Sequence, residues 1–197
     1  MHAGPKHFLL LVASLLVPAG LRAQIDHHEV DLAVTYTEQY SNLVSTPTFW
    51  HNGGAIELSA QALHGFGITA NVAGTQTGNA ANSGIGLTLV TATFGPRYTL
   101  FHPLGAQRSH SLAVFGQGLL GRAWGLYSYF PYASGAQTSA ESMALQVGGG
   151  VDLGLTRHLG IRVLQADWLR TQLPNGTTNV QNTLRLGAGV VLRIPQR

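Results

Sequence analysis

The stretch Leu145-Gln146-Val147-Gly148-Gly149-Gly150-Val151-Asp152-Leu153 decides the fold. Leu145, Val147, Val151 and Leu153 share one parity, and Gln146, Gly148, Gly150 and Asp152 share the other. A strand sends alternate side chains to opposite faces, so this segment is a strand with one apolar wall and one polar wall.

The same two-residue rhythm recurs along the chain and predicts eight strands: Glu29 to Thr37, Gly54 to Ala62, Phe66 to Gly74, about 86–99, Ser111 to Ala123, Glu141 to Gly154, Leu159 to Thr171 and Gln181 to Ile194. In the first, Val30, Leu32, Val34 and Tyr36 oppose Asp31, Ala33 and Thr35. In the second, Ile56, Leu58 and Ala60 oppose Glu57, Ser59 and Gln61. In the fourth, Val90, Ala92 and Phe94 oppose Thr91, Thr93 and Arg97. Each run is about nine to fourteen residues, long enough for a tilted strand to cross a bilayer. An apolar wall facing lipid and a polar wall facing inward give an all-β fold, an eight-stranded antiparallel transmembrane up-and-down barrel. Hydrocarbon offers no water to an unpaired backbone amide, so the sheet must close on itself. Eight strands leave an interior that side chains just fill.

The connections alternate in character. Those after strands one, three, five and seven are mostly longer and polar or aromatic: Glu38 to Asn52, residues 75–84, 124–140, and Leu173 to Val180 with its Pro174-Asn175-Gly176 turn signal. Those at Leu63-His64-Gly65, near His102 to His110, and at Thr156-Arg157-His158 are mostly shorter. Short periplasmic turns and long external loops then put both termini on the periplasmic side. Tyr36, Tyr40, Trp50, Trp124 and Trp168 form an outer aromatic girdle, and Phe66, Tyr98 and Phe101 an inner one.

Residues 1–23 read as a secretory leader, followed by one barrel domain over 24–197. Lys6 gives a positive start, Phe8 to Val17 a short apolar core, Pro18 a break, and Ala23 the small residue before cleavage. The apolar run is too short to span a membrane as a helix. Of the eleven Lys and Arg residues, Lys6 and Arg22 leave with the leader, so nine face eight acidic residues in the mature chain. That balance argues against a nucleic-acid partner, which needs a basic stripe. Charged residues are only 10% of the chain, against roughly 25% in soluble domains. The chain has no Cys, so no disulfide and no lipid-modified amino-terminal cysteine is expected.

Two features strain the strand reading. Pro96 lies in the fourth strand, where it removes a ladder hydrogen bond; a bulge near the periplasmic rim accommodates it. Arg162 and Asp167 have opposite parity, yet both must avoid lipid. Either the seventh strand bulges around Gln165-Ala166 or Asp167 lies at the interface.

The segments Gly148-Gly149-Gly150-Val151-Asp152, Gly95-Pro96-Arg97-Tyr98 and Leu184-Arg185-Leu186-Gly187-Ala188-Gly189-Val190 resemble small bacterial outer-membrane barrels of the OmpA/OmpX-like superfamily. The resemblance spans roughly residues 27–194 and implies a Gram-negative outer-membrane location. It also implies outer-membrane lipid as surroundings, and periplasmic chaperones and the barrel-assembly machinery as partners in biogenesis. Such barrels often end on an aromatic residue; here the last strand ends Leu192-Arg193-Ile194, then Pro195-Gln196-Arg197. No peptidoglycan-binding domain of the kind carried by OmpA is expected after the barrel.

The charged inward residues are the candidate site. Symmetry about Arg157 places Asp152 opposite Arg162, and symmetry about Gly176 places Asp167 opposite Arg185. Closure sets strand one beside strand eight and brings Asp31 near Arg193; Glu57 and Arg97 can join these layers. Arg offers a planar fork of donors to a buried carboxylate, so an ion-pair network that seals or gates the interior is one reading, and polar packing without a gate the other. External contact candidates are Trp124, Tyr127, Tyr129, Phe130 and Tyr132.

Metal and catalytic readings are weaker. His27-His28 point apart along a strand, and His64, His102, His110 and His158 fall at turns without accompanying carboxylate or Cys spacing, so no metal or other cofactor is expected. His51 near Ser41 and Ser45, with Glu38 and Glu57 available, leaves an outer-leaflet lipid hydrolase or acyltransferase open as a minor reading, with no catalytic residue assigned. Asn175-Gly176-Thr177 matches a glycosylation acceptor but means only an exposed loop in a bacterial protein. The leading expectation is a non-enzymatic barrel with a filled lumen, serving envelope structure or surface interaction through its external loops. A narrow pore for small solutes is the alternative, and a soluble sandwich or lipocalin-like barrel a further one.

Overall fold

A computed structural model describes residues 29–42, 48–104, 110–176 and 178–195. The predicted leader, His27-His28, Ser45 and Thr177 lie outside these residues. Eight antiparallel strands form one closed barrel: β1 (Glu29–Ser41), β2 (Phe49–Leu63), β3 (Phe66–Thr77), β4 (Leu87–Leu104), β5 (His110–Tyr132), β6 (Gly135–Gly154), β7 (Leu159–Thr171) and β8 (Gln181–Pro195). Each strand pairs with its sequence neighbours, and β1 pairs with β8 to leave no edge. The end carrying the described termini, the turns after β2 and β6, and the paired Leu104 and His110 is called the base; the opposite end is the mouth.

The two walls have the predicted polarity. Val34, Ile56, Leu58, Ile68, Val72, Phe94 and Leu120 point outward, each at least half exposed, while Asp31, Thr35, Glu57, Asn71, Arg97 and Asp152 point inward and are buried. Val147 and Leu184 are 47% and 46% exposed on the outer wall, which excludes the lipocalin-like arrangement with these residues in a central core. An apolar belt this continuous far exceeds what a water-exposed monomer carries, so its solvent is lipid. Aromatic rings pair at both margins: Tyr40 and Trp50 at the mouth, centroids 5.0 Å apart, and Phe66 and Tyr98 at the base, 4.6 Å apart.

Several strands run further than their alternation alone indicated. β1 and β2 continue through most of Glu38 to Asn52, β3 reaches Thr77, and β4 reaches Leu104 through His102. The largest correction concerns 124–140. This is no long loop: β5 and β6 extend through it as a hairpin closed by a two-residue turn, Ala133-Ser134. It projects beyond β4, whose pairing with β5 ends at Leu126, and beyond β7, whose pairing with β6 ends at Ala144. Aromatic side chains fit a pleated surface, which favours strand over loop here.

Bulges sit elsewhere than expected. β4 keeps register through Gly95-Pro96, with Pro96 opposite Ile68 and pointing outward, so there is no bulge at that proline. β7 does bulge, but at Val163-Leu164 rather than Gln165-Ala166: both side chains face outward, and inward parity passes from Arg162 to Gln165 and Asp167. A second bulge, between Leu126 and Phe130 of β5, contains Tyr127 at φ 57° and turns Phe130 inward.

Candidate functional site

The inward face holds two layers. The first, toward the base, is built on Glu57. Its Oε1 accepts 2.7 Å hydrogen bonds from Nη1 of Arg97 and from Nη1 of Arg162. Its Oε2 accepts from the side-chain amides of Gln117 at 3.0 Å and Asn71 at 3.3 Å. Arg162 also grips Asp152 as a fork, Nε to Oδ1 at 2.8 Å and Nη2 to Oδ2 at 3.0 Å. Arg97 Nη2 lies 3.5 Å from the same Asp152 Oδ2. Arg185 donates to Asp167 and to Asn71, each at 3.3 Å, and Gln165 joins Asp167 Oδ2 at 2.9 Å. Three carboxylates thus face three guanidiniums, none of the six more than 2% exposed. Charges taken this far from water persist only when matched; each of the six has an opposite charge within 3.5 Å, while Arg97 Nη2, Asp167 Oδ1 and Arg185 Nη1 are buried without a hydrogen-bond partner among the described residues.

The register explains the cluster. Asp152 lies opposite Arg162 and Asp167 opposite Arg185, as symmetry about the two turns predicted. Asp31 lies opposite Arg193 at the base, where Arg193 Nη1 donates to Ser111 at 2.8 Å. Glu57 and Arg97 stand on β2 and β4, two strands apart, so their meeting is made across the lumen. Phe115 was not anticipated. Its ring lies under both guanidiniums, 3.6 Å from Arg97 Cζ and 4.5 Å from Arg162 Cζ, a stacking that suits delocalised cations. The glycines of β6 make room for it: a Cβ on Gly150 would stand 2.7 Å from the Phe115 ring, and one on Gly148 2.2 Å from Asp167 Oδ1.

The second layer fills the mouth with hydrocarbon. Phe49, Leu87, Leu89, Phe130, Leu169 and Leu173 are buried there with Ala80, Ala123, Ala140 and Ala144. Phe130 folds back over Gly125, whose Cβ position lies 2.3 Å from the ring. Ala80 enters from the short 3-10 turn between β3 and β4, and Leu173 from the segment after β7. Gln181 holds that segment down: its Oε1 accepts from Leu173 N and its Nε2 donates to Leu173 O, both at 2.8 Å. The signal for this layer was in the parity: Leu87 and Leu89 share it with Thr91 and Thr93, and Leu169 with Asp167.

The aromatic contact candidates separate. Tyr127 and Tyr129 are 78% and 65% exposed on the projecting hairpin, with Tyr132 near its tip. Phe130 is 2% exposed and belongs to the lumen, which corrects its assignment as an external contact; Trp124 is half-buried on the outer wall.

The histidines are dispersed. His64, His102, His110 and His158 are exposed near the base, and His102 and His110 lie in strands rather than a turn. His51 points into the lumen beside Phe49, ring centroids 5.5 Å apart. Ser41 Oγ lies 3.2 Å from Thr183 Oγ1, Glu38 faces outward, and Glu57 is held by two arginines. The described residues therefore bring neither Ser41 nor a carboxylate to His51.

A crystal structure of Ail, the attachment invasion locus protein of Yersinia pestis, in complex with the heparin analogue sucrose octasulfate, superimposes with a TM-score of 0.54. The two chains are 16% identical over 85% of this chain and 99% of that one. The fold is that of the small eight-stranded outer-membrane barrels. A second Ail crystal structure gives a TM-score of 0.52 at 13% identity, covering 85% of this chain and 99% of that one. Neisserial surface protein A gives 0.49 at 16% identity, covering 83% and 95%. No family model and no curated protein matches the chain.

Proposed function

We propose that this chain is a non-enzymatic barrel of the bacterial outer membrane, its base in the periplasm and its mouth outside. It serves envelope structure or surface interaction through the segments at the mouth. The observation that carries this reading is the doubly filled lumen: a charge-matched cluster, then an apolar layer sealed by Phe130 and Leu173. A barrel blocked twice does its work on its outer surfaces, and the projecting β5–β6 hairpin offers Tyr127 and Tyr129 to a partner. Tyr is suited to that task, with an apolar body and a polar tip. The separation of His51 from Ser41 and from both carboxylates supports the non-enzymatic reading. Export by the leader over 1–23, and assembly by periplasmic chaperones and the outer-membrane insertion machinery, belong to the same proposal.

Planar-bilayer recording tests it. The refolded barrel is expected to stay silent under applied voltage; stepwise openings overturn the closed lumen and assign the chain to the narrow-pore class. Sidedness has its own test, because the chain contains no cysteine. Ser134→Cys at the hairpin tip is expected to react with a membrane-impermeant thiol reagent on intact cells.

A further inference from the structure

Among the described residues, two exposed carboxylates stand on the outer wall of the mouth half, and only one is matched. Glu141 of β6 accepts from Nη1 of Arg122. Glu38 of β1 has no basic partner among the described residues; its hydrogen bond comes from the hydroxyl of Tyr36, at 3.4 Å. A carboxylate bordering the hydrocarbon belt is costly without a positive partner. Aromatic rings that only anchor a barrel at the headgroups call for no such charge among them, and the pair at the base, Phe66 and Tyr98, lies beside neither carboxylate.

Rings gather around Glu38. Tyr36, Glu38 and Tyr40 share the outward face of β1, and Trp50 and Asn52 that of β2. Glu38 lies opposite Asn52 and Tyr40 opposite Trp50, so Trp50 is the diagonal neighbour of Glu38. A crevice of about 330 Å³ opens there, lined by Glu38, Trp50, His51 and Asn52. The rings of Tyr40 and Trp50 meet at 45° with centroids 5.0 Å apart and so form a corner. Tyr36, 58% exposed, flanks the carboxylate from the other side. Three aromatic side chains thus stand around one unmatched negative charge.

One charge framed by rings selects among cations. Calcium takes about six to eight oxygen ligands, and the described residues hold no group of three His, Cys, Asp or Glu that could bind a metal ion. A guanidinium or a primary ammonium brings three or more N–H donors to satisfy, and the side chains lining the crevice offer only Glu38 and the Asn52 carbonyl, since His51 points into the lumen. A quaternary ammonium has no N–H to satisfy and is held by ring faces and a single opposite charge. We propose that this crevice binds a quaternary ammonium of the choline type, with Glu38 as its counter-charge and Trp50 and Tyr40 as its walls. No Lys or Arg lines the crevice to receive a phosphate, so the free cation suits it better than a phosphocholine head.

The test uses the full barrel refolded in a maltoside detergent, which carries no ammonium, its folding confirmed by anomalous gel migration without boiling. Saturation-transfer NMR follows titration with choline, with its uncharged carbon isostere dimethylbutanol, with ethanolamine and with phosphocholine. Choline is expected to saturate with a Kd on the order of 1 mM, and dimethylbutanol and ethanolamine to bind at least about tenfold more weakly. Phosphocholine should bind more weakly than choline. Glu38→Gln and Trp50→Leu, each checked for folding in the same gel, should weaken choline by about tenfold. Trp50→Phe should retain part of the affinity that Trp50→Leu loses, and Glu141→Gln, at the matched pair, should leave choline binding unchanged. A choline titration that does not saturate, equal binding of dimethylbutanol, or undiminished binding by Glu38→Gln overturns the site. Equal binding of ethanolamine overturns the choice of a quaternary cation, and tighter binding of phosphocholine overturns the choice of the free cation over a lipid head.

Discussion

The charged layer and the apolar layer fill the same cylinder by opposite means. Toward the base, charged and amide side chains dominate the inward face, and order comes from directed bonds: Glu57 alone receives two arginines and three amides. At the mouth, Leu87, Leu89, Leu169 and Leu173 fill space without direction. Directed bonds fail abruptly when one partner is removed, because the others are left buried and unmatched. Hydrocarbon fails gradually, because neighbours relax into the gap. The difference suggests a division of labour within the closed lumen: the cluster fixes which strands meet across the barrel, and the apolar layer closes the mouth whichever rotamers it adopts.

Removing the hub should have the largest effect. Glu57→Ala leaves Arg97 and Arg162 each short of a carboxylate, with Asp152 alone to share between them. The expected cost is about 3–5 kcal/mol, read as a shift in the urea midpoint of tryptophan fluorescence in micelles. A cost below about 1 kcal/mol would mean that water replaces the carboxylate, and the claim of a dry, matched cluster would fall.

Leu169→Ala probes the other layer. It removes a fully buried side chain from among Leu89, Leu173 and Phe130, and about 2–5 kcal/mol is expected, below the Glu57→Ala value because the layer can settle. If the two variants rank the other way in the same urea series, the contrast between directed and undirected filling is wrong.

The contrast also explains what could be read from sequence. Strand number, facing and the pairs Asp152–Arg162 and Asp167–Arg185 were legible because alternation and turn symmetry are local rules. The meeting of Glu57 with Arg162 was not, since 105 residues separate them and only the closed barrel brings them together. The apolar layer was hidden by the assumption that an inward face must be polar, although Leu87, Leu89 and Leu169 carried the right parity. The bulges were partly legible. The parity conflict between Arg162 and Asp167 announced one in β7, and its position was missed by two residues because Val163 and Leu164 are both content in lipid. The β5 bulge gave no such conflict, since the extension of that strand into Tyr127–Phe130 was itself unseen.

Gly150→Ala sharpens the comparison from the packing side of the charged layer. Its Cβ would meet Leu164 O at 2.5 Å and the Phe115 ring at 2.7 Å. The ring can yield but the carbonyl cannot, so about 1–3 kcal/mol is expected. The ring's retreat from Arg97 should show as a change in the near-ultraviolet circular dichroism of the folded barrel. Loss of stability without any spectral change would mean that Phe115 fills space and does not seat the arginines.

The smallest effect is expected from Gly187→Ser, on the same inward face of β8 near Gln165. Here the added Cβ meets Thr37 Cγ2 and Tyr36 O at 3.4 Å, a tight but tolerable contact that a shift of a few tenths of an ångström relieves. The new hydroxyl enters a polar neighbourhood where Thr37 Oγ1 is buried without a hydrogen-bond partner. Steric cost and a new hydrogen bond of about 0.5–1.5 kcal/mol oppose each other, so the urea midpoint should move by less than about 1 kcal/mol in either direction. The pair Gly150→Ala and Gly187→Ser thus separates glycines that a neighbouring carbonyl demands from one that merely leaves a gap. A large loss at Gly187 would show that the charged layer tolerates no added atom anywhere, and that its order depends on close packing as much as on directed bonds.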